Sequence, residues 1–466
     1  MTFAESLQRY SDNIAIITES GQEISYAALD ESVDRFAESV ASSSTISKQL
    51  IFLSAGNNLA SIIAYIYCLK NHHAVMLLNP DLFNVENQGW LDQLIQGYRP
   101  NALIKTDSPE PTYLSLSTVV LALNDDLALL LSTSGSTGSP KQVRLSYKNM
   151  QSNADAITNF LGLTHSERAI TTLPLHYSYG LSVLNTHLSV GASIVLNAHS
   201  IVTRDFWRLF KEQGITSFAG VPFMYETLRK VRFEGMDLPS LRYMTQAGGK
   251  LSQDNVKHFS GLMAEQEKLF VVMYGQTEAT ARMSYLSGKE LAAHPDSIGV
   301  AIPGGSLTIE GEKGELVYRG DNVMMGYAEC LADLQRESEL NKLETGDLAY
   351  QDDQGLFYLI GRQSRTIKLF GLRIDMDELE TRLAEQGWPV ICLSAGQFSD
   401  GKQLAVAVLK EDENDSANEP DCKPIEAYLT DVIKLHHSAY DVQLIDTVPR
   451  TANGKISYLE LEKHFN

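Results

Sequence analysis

Ten consecutive residues, Ser132-Thr-Ser-Gly-Ser-Thr-Gly-Ser-Pro-Lys141, gather what a polyphosphate needs and little that a core needs. Thr133, Ser134, Ser136, Thr137 and Ser139 offer hydroxyls. Gly135 and Gly138 let backbone N–H groups approach anionic oxygens, and Lys141 adds a fixed positive charge. The apolar run 127–131 just before it has the length of a buried strand, so the loop is expected to leave a sheet edge, where α/β proteins commonly place ligands. No Gly-Lys-Ser/Thr closes the segment, which sets it apart from the Walker type. Ser/Gly/Thr runs also serve as flexible linkers, so composition alone leaves both readings open.

The elements that must position such a loop alternate along the chain. Residues 25–40 read as an amphipathic helix, 58–69 as another, and 74–78 as a short buried strand ending at Asn79-Pro80. After the loop come a helix over 146–160, a strand at 193–196, a helix around 206–212, and strands near Ser217, Tyr243 and 269–273. Such alternation favours parallel sheets covered by helices. From Glu310 the pattern becomes short strands with turns, at 314–318, 348–350 and 357–360. Beyond Arg362 a smaller unit begins, with a strand-turn pattern over 366–374, a helix at 376–385 and strands at 390–394 and 404–409. The boundary is expected near Gln363 and Ser364, giving domains 1–362 and 363–466.

Bulk properties exclude several classes. A chain of 466 residues exceeds one ordinary core, and 44% hydrophobic with 21% charged residues is normal for a soluble globular protein. No stretch approaches the roughly 18 apolar residues of a membrane span. The first residues, Met-Thr-Phe-Ala-Glu-Ser, lack the basic and apolar regions of a secretion signal. Cys68, Cys330, Cys392 and Cys422 are widely spaced, which indicates neither a disulfide framework nor a zinc site and fits a reduced, cytoplasmic protein. A net charge of −20 argues against a general binder of nucleic acid or anionic membrane. The acidic run beginning at Glu411 reads as a solvated loop.

Four further segments join the cradle: Tyr274-Gly-Gln-Thr-Glu278; Thr345-Gly-Asp347; Gly361-Arg362 continuing through Ile367-Lys368 and Gly371-Leu-Arg373; and Pro449-Arg-Thr-Ala-Asn-Gly-Lys455. Five such segments in this order, spread over most of the chain, resemble the signature set of the AMP-forming adenylating enzymes, the superfamily of acyl-CoA synthetases, carrier-protein-loading adenylation domains and firefly luciferase. The resemblance implies an α/β fold: a large N-terminal domain of helix-covered, mostly parallel sheets plus a small distorted β-barrel, followed by a small mobile α+β C-terminal domain. It implies ATP and Mg2+ as cofactors and CoA or a phosphopantetheine as acceptor.

Residue by residue, the resemblance gives the loop Thr133 to Lys141 the β- and γ-phosphates, Glu278 the magnesium and Thr277 the α-phosphate. Asp347 matches the carboxylate that accepts both ribose hydroxyls. Arg362 matches a second ribose or phosphate contact. The turn Ala247-Gly248-Gly249, with Tyr274 and Gly275, resembles the adenine slot. Lys455 matches the lysine joining the carboxylate to the α-phosphate region, and a rotation of the small domain is expected to replace it with the loop carrying Lys368 and Gly371. Ser364 followed by Arg365 stands where such enzymes usually carry an Asp or Lys pivot.

The segment Leu173-Pro-Leu-His-Tyr-Ser-Tyr-Gly180 matches the helix start that lines the acyl pocket, with His176 resembling its gate and Tyr177 and Gly180 its wall. Amino-acid-activating relatives usually carry Phe-Asp where His176 and Tyr177 stand, and a buried ammonium without a counter-charge is costly, so an acid lacking an α-amino group is expected. Met273 and residues 279–283 should form the far wall. Arg282 there either faces surface water or binds a polar or anionic end of the substrate, a dicarboxylate or hydroxylated acid. Partners implied are a small carboxylic acid and, for a carrier-loading enzyme, a separate acyl or peptidyl carrier protein. The alternatives are a non-catalytic nucleotide or acyl-adenylate sensor, a stand-alone amino-acid-activating enzyme and a luciferase-type oxygenase.

Overall fold

The computed structural model describes residues 3–41, 46–132, 141–311, 314–362, 365–369, 372–394, 402–409, 422–451 and 456–465. The chain divides into two compact units, one formed by Met1–Leu307 with Tyr318–Leu343, the other by Thr308–Val317 with Glu344–Asn466. The cradle residues Thr133, Ser134, Gly135, Ser136, Thr137 and Gly138, the pivot Gln363–Ser364, Gly371 and Lys455 lie outside the described residues.

In the larger unit, one sheet has four parallel strands at its centre: Leu127–Ser132, Ala74–Leu78, Leu50–Ser54 and Ala102–Lys105. Leu50–Ser54 and Ala74–Leu78 are buried at every residue, as strands covered on both faces must be. Helix Leu59–Lys70 follows an Asn58 cap whose side chain accepts from the Ser61 N–H, and it is buried from Ala60 to Leu69 because it packs on this sheet while helix Tyr26–Ala41 covers its outer side. Leu91, Leu94 and Tyr98 of helix Gln88–Tyr98 join a core with Leu50, Phe52 and Met76.

The strand before the cradle is interior to this sheet. Gln142–Ser146 pairs antiparallel with Leu127–Ser132 and returns the chain alongside it, while Gly326–Ala328 pairs with Gln142–Ser146 in turn. The expectation of a loop leaving a sheet edge is therefore corrected: it joins the two strands of an antiparallel pair. The reason is that Gln142 and Arg144, polar by type, are wholly buried, Arg144 donating to the carbonyls of Met325 and Arg336 and to Glu339.

The second sheet of this unit runs parallel through Ile14–Ile17, Ser193–Val195, Arg168–Ile170, Ser217–Gly220, Tyr243–Gln246 and Leu269–Tyr274, then turns antiparallel at Ser284–Ser287 and Ser297–Ala301. Helices Arg204–Glu212, Pro222–Lys230 and Gln253–Glu265 bring Phe206, Tyr225 and Phe259 into ring contacts with Phe218 and Phe270 of the strands. Helix Ser178–Ser189 is buried almost throughout and packs on helix Tyr147–Leu161. The chain is thus an α/β protein with helix-covered, mostly parallel sheets.

Burial in this unit has a thermodynamic consequence. His73 and His187 are both pushed down to about 4 by desolvation, so they are neutral in the folded chain at pH 7. Because their folded values lie below that of an unfolded His, the unfolded chain binds more protons between about pH 6.5 and 4, and stability rises with pH across that window. Denaturant unfolding at pH 7 and pH 5 should therefore show stability falling on acidification by on the order of 2 kcal/mol for each of the two histidines. His187→Gln should flatten that slope if the assignment to His187 is right.

In the smaller unit, Leu343–Gln351 and Phe357–Arg362 form an antiparallel pair in which Asp347 faces Arg362. A hairpin of Thr366–Leu369 and Leu372–Asp375 precedes helix Met376–Glu385. A sheet of Val390–Leu393, Leu404–Leu409 and Tyr440–Ile445 packs with that helix and with Lys423–Asp431 around Leu379, Leu383, Val406 and Leu429. Arg365, beside the expected pivot, pairs with Asp377 and with Glu380 at 2.5 Å, and donates to the Cys392 carbonyl at 2.8 Å. These bonds tie the chain just after the pivot to the small unit's own core.

Candidate active site

Strand Leu269–Tyr274 delivers the segment Tyr274 to Glu278 at its carboxyl end, where Thr277–Ala279 makes a single 3-10 turn. Gly275 is required for packing: a Cβ there would lie 1.9 Å from the Ala281 carbonyl oxygen, inside the backbone of the returning segment. That return is fixed by Thr280, which has φ of +67°, and whose hydroxyl donates to the Asn322 carbonyl at 2.8 Å. The turn is therefore pinned on both sides before any side chain of the site is considered.

Two expected phosphate-site residues converge on strand Gly326–Ala328 and its flank. Glu278 Oε1 accepts from the Tyr327 hydroxyl at 2.8 Å. Lys141 Nζ lies 5.4 Å from the centre of the Tyr327 ring and 3.6 Å from Glu329 Oε1. Tyr327 and Glu329 are site neighbours that the sequence does not reveal, because only the pairing of Gly326–Ala328 with Gln142–Arg144 brings them here. Glu278 is a partly exposed carboxylate, which suits a magnesium ion: such ions keep several waters and need one or two carboxylates beside substrate phosphates. Thr277 Oγ1 is hydrogen-bonded to Ser178 Oγ at 3.2 Å, linking this turn to the first residue of helix Ser178–Ser189.

The segment expected to line the acyl pocket is anchored from the first sheet's connection. Asn57 Oδ1 accepts from the Leu175 N–H and its amide donates to the Leu173 carbonyl. Gly180 has a local packing reason as well, since a Cβ would meet the Pro174 carbonyl oxygen at 2.3 Å. His176 Nδ1 lies 3.2 Å from the Ala55 carbonyl, an acceptor only, so Nδ1 carries the proton and Nε2 is the free ring nitrogen. Burial holds the His176 imidazole below the usual His range, hence neutral at pH 7.

Tyr177 and the Gly248 turn are in contact. A Cβ on Gly248, which has φ of +85°, would lie 2.5 Å from the Tyr177 hydroxyl oxygen, so the expected acyl wall and the expected adenine slot share a boundary. Gly249 is held by Gln246, whose amide donates to the Gly249 carbonyl. Tyr274 is half-buried with its hydroxyl accepting from Gln276 at 3.4 Å, and Met273 is buried on the strand.

Arg282 does not face surface water; it is 3% exposed, which corrects that reading. Its backbone carbonyl accepts from the amides of Asn153 and Asn322. The guanidinium sits 4.1 Å from the centre of the Tyr179 ring, and Nη1 donates to Ser182 Oγ.

In the smaller unit, Asp347 is 5% exposed, and its Oδ1 accepts from Arg362 Nε at 2.6 Å. Gly346, with φ of +71°, makes the bend that precedes it, and its N–H donates to Glu315 Oε1. The strand register sets these two residues, fifteen positions apart, face to face. Lys368 lies on the strand Thr366–Leu369, opposite Arg373.

Comparison with known proteins follows the same lines. Residues 3–328 match the family described as AMP-binding enzyme. The chain is 28% identical over 364 residues to oxalate–CoA ligase of Arabidopsis thaliana, covering 73% of this chain and 68% of that protein. It is equally 28% identical over 369 residues to an L-proline–[L-prolyl-carrier protein] ligase of Pseudomonas fluorescens, covering 73% and 69%. Among solved structures, O-succinylbenzoate coenzyme A synthetase of Bacillus subtilis in complex with AMP superposes with a TM-score of 0.75 at 21% identity, covering 97% of this chain and 96% of that one, a likeness of fold.

Proposed function

This chain belongs to the AMP-binding enzyme family, and from that premise we propose that it is an ATP-dependent carboxylate ligase that makes an acyl-AMP and then an acyl thioester. A carboxylate oxygen bonds to the α-phosphorus of ATP as the bond to pyrophosphate breaks, the electron pair leaving with pyrophosphate. A thiol then bonds to the acyl carbon and AMP departs. The thiol is that of CoA or of a carrier protein's phosphopantetheine.

The observation that supports this reading best is the hydrogen bond from Thr277, the residue before Glu278, to Ser178 at the head of helix Ser178–Ser189, the segment expected to line the acyl pocket. Positioning and charge neutralisation are what phosphoryl chemistry asks of a protein. Glu278 would hold magnesium, which when bound to phosphate oxygens lowers their charge. Lys141 would exchange its contacts with Glu329 and the Tyr327 ring for phosphate oxygens, and Asp347 would exchange Arg362 for ribose hydroxyls. Neutral His176 and the buried Arg282 offer no counter-charge to an ammonium, which supports an acid without an α-amino group. Lys455 is assigned to the adenylation step, Lys368 and Gly371 to the thioester step.

Carboxylate-dependent ATP–pyrophosphate exchange over fatty, aryl, hydroxy, dicarboxylic and amino acids tests the reading. One acid class should support exchange, and Lys455→Ala should reduce it by about 100-fold or more. ATP binding without exchange for any acid would replace the ligase by a nucleotide-binding sensor.

A further inference from the structure

We propose that Arg282 is the counter-charge for a second anionic group on the acid, so that the substrate is a short-chain dicarboxylate; this rests on the acyl-adenylating reading above. The guanidinium is buried, and an arginine stays charged in proteins. Among the described residues no carboxylate forms an ion pair with it, and its Nε is buried with no hydrogen-bond partner. Its polar neighbours are uncharged. Burial raises the phenols of Tyr177 to about 12 and of Tyr179 and Tyr243 upward as well, while His187 is neutral, so none of them supplies the missing negative charge.

A buried cation with one orphaned donor is costly unless an anion completes it. The backbone around Arg282 is not free to relieve that cost by turning outward: Asn153 and Asn322 both donate to its carbonyl, and the Gly275 strand lies against the preceding residue. The π face of Tyr179 offsets part of the charge but leaves Nε without an acceptor.

The position of the cation also fixes where on the acid the second charge would sit. Thr277, expected at the α-phosphate, bonds Ser178, and Arg282 bonds Ser182 on the same helix. Those serines are four residues apart, hence on one face with a separation of about 6 Å along the axis. An acid reacting at the Thr277 end would place a group one helical turn away near Arg282, which suits succinate to adipate rather than a long fatty chain.

The test uses the purified full chain and Arg282→Met, with succinate, glutarate and adipate paired against butyrate, valerate and hexanoate. In exchange assays the unchanged protein should prefer a diacid over its monoacid. Arg282→Met should lower the diacid-to-monoacid ratio of kcat/KM about 100-fold, mostly through KM. In parallel, a diacid should raise the unfolding midpoint of the unchanged protein and not that of Arg282→Met, a readout independent of catalysis. Exchange supported by monoacids alone, or a ratio untouched by the substitution, overturns the assignment while leaving the ligase intact. Diacid-dependent stabilisation that needs Arg282, without exchange, keeps the anion site and removes the ligase. Should Arg282→Met fail to fold, Arg282→Lys carries the same ratio measurement, with a smaller fall expected because an ammonium lacks the guanidinium fork.

Discussion

Glu278→Gln is expected to slow carboxylate-dependent ATP–pyrophosphate exchange by about 100- to 1,000-fold while leaving stability within about 0.5 kcal/mol. The substitution keeps shape and keeps an acceptor for the Tyr327 hydroxyl, which lies 2.8 Å from Oε1. The main chain is held independently, since the Glu278 carbonyl accepts from the Met324 N–H at 2.8 Å and the Thr280 hydroxyl ties the end of the turn to Asn322. What disappears is one negative charge at the place where the phosphates of ATP and their magnesium would lie. The residual activity should also need more magnesium. Exchange unchanged across a magnesium titration would remove Glu278 from the site.

Much of the scaffold was legible because local chemistry and tertiary burial agree. Asn58 and Ser146 cap the helices that follow them, and the strand Ala74–Leu78 and helix Met376–Glu385 begin and end where their patterns do. Asp347 and Arg362 were each named from sequence for separate ligand contacts, and their direct pairing emerges only from the antiparallel ladder that carries both. The strand Gln142–Ser146 was hidden by Gln142 and Arg144, whose burial depends on Met325, Arg336 and Glu339, residues far along the chain that no local pattern announces. Tyr327 and Glu329 were invisible for the same reason, as neighbours of Glu278 and Lys141 only through that pairing. Arg282 is the instructive case: charge argues for the surface, and only its burial against the Tyr179 ring and Ser182 shows the side chain turned inward.

Gly275→Ala separates packing from chemistry within the same motif. A glycine beside a tyrosine in an expected adenine slot invites a ligand-based reading, yet the structure gives it a reason that needs no ligand. An added Cβ would meet the Ala281 carbonyl oxygen at 1.9 Å, its carbon at 2.8 Å and the Arg282 Cα at 2.8 Å. All three are backbone atoms, so no rotamer change relieves the clash. The segment they belong to is fixed by the hydrogen bond between the Met283 N–H and the Tyr274 carbonyl and by the antiparallel pairing of Tyr274 with Ser284. Relief must therefore come from parting these two strands, and destabilisation on the order of 4 kcal/mol is expected, the range reserved for disrupted backbone or core. Gly261→Ala provides the opposite sign: on helix Gln253–Glu265 its Cβ would meet nothing within 4 Å. There the smaller entropy of the unfolded chain should add about 0.5–1 kcal/mol. Denaturant melts of the two variants should thus move in opposite directions, and exchange should fall for Gly275→Ala, because the strands that part carry Thr277, Glu278 and Arg282 with them. If Gly275→Ala melts with the unchanged protein, the close approach of these strands is wrong, and the buried placement of Arg282 goes with it.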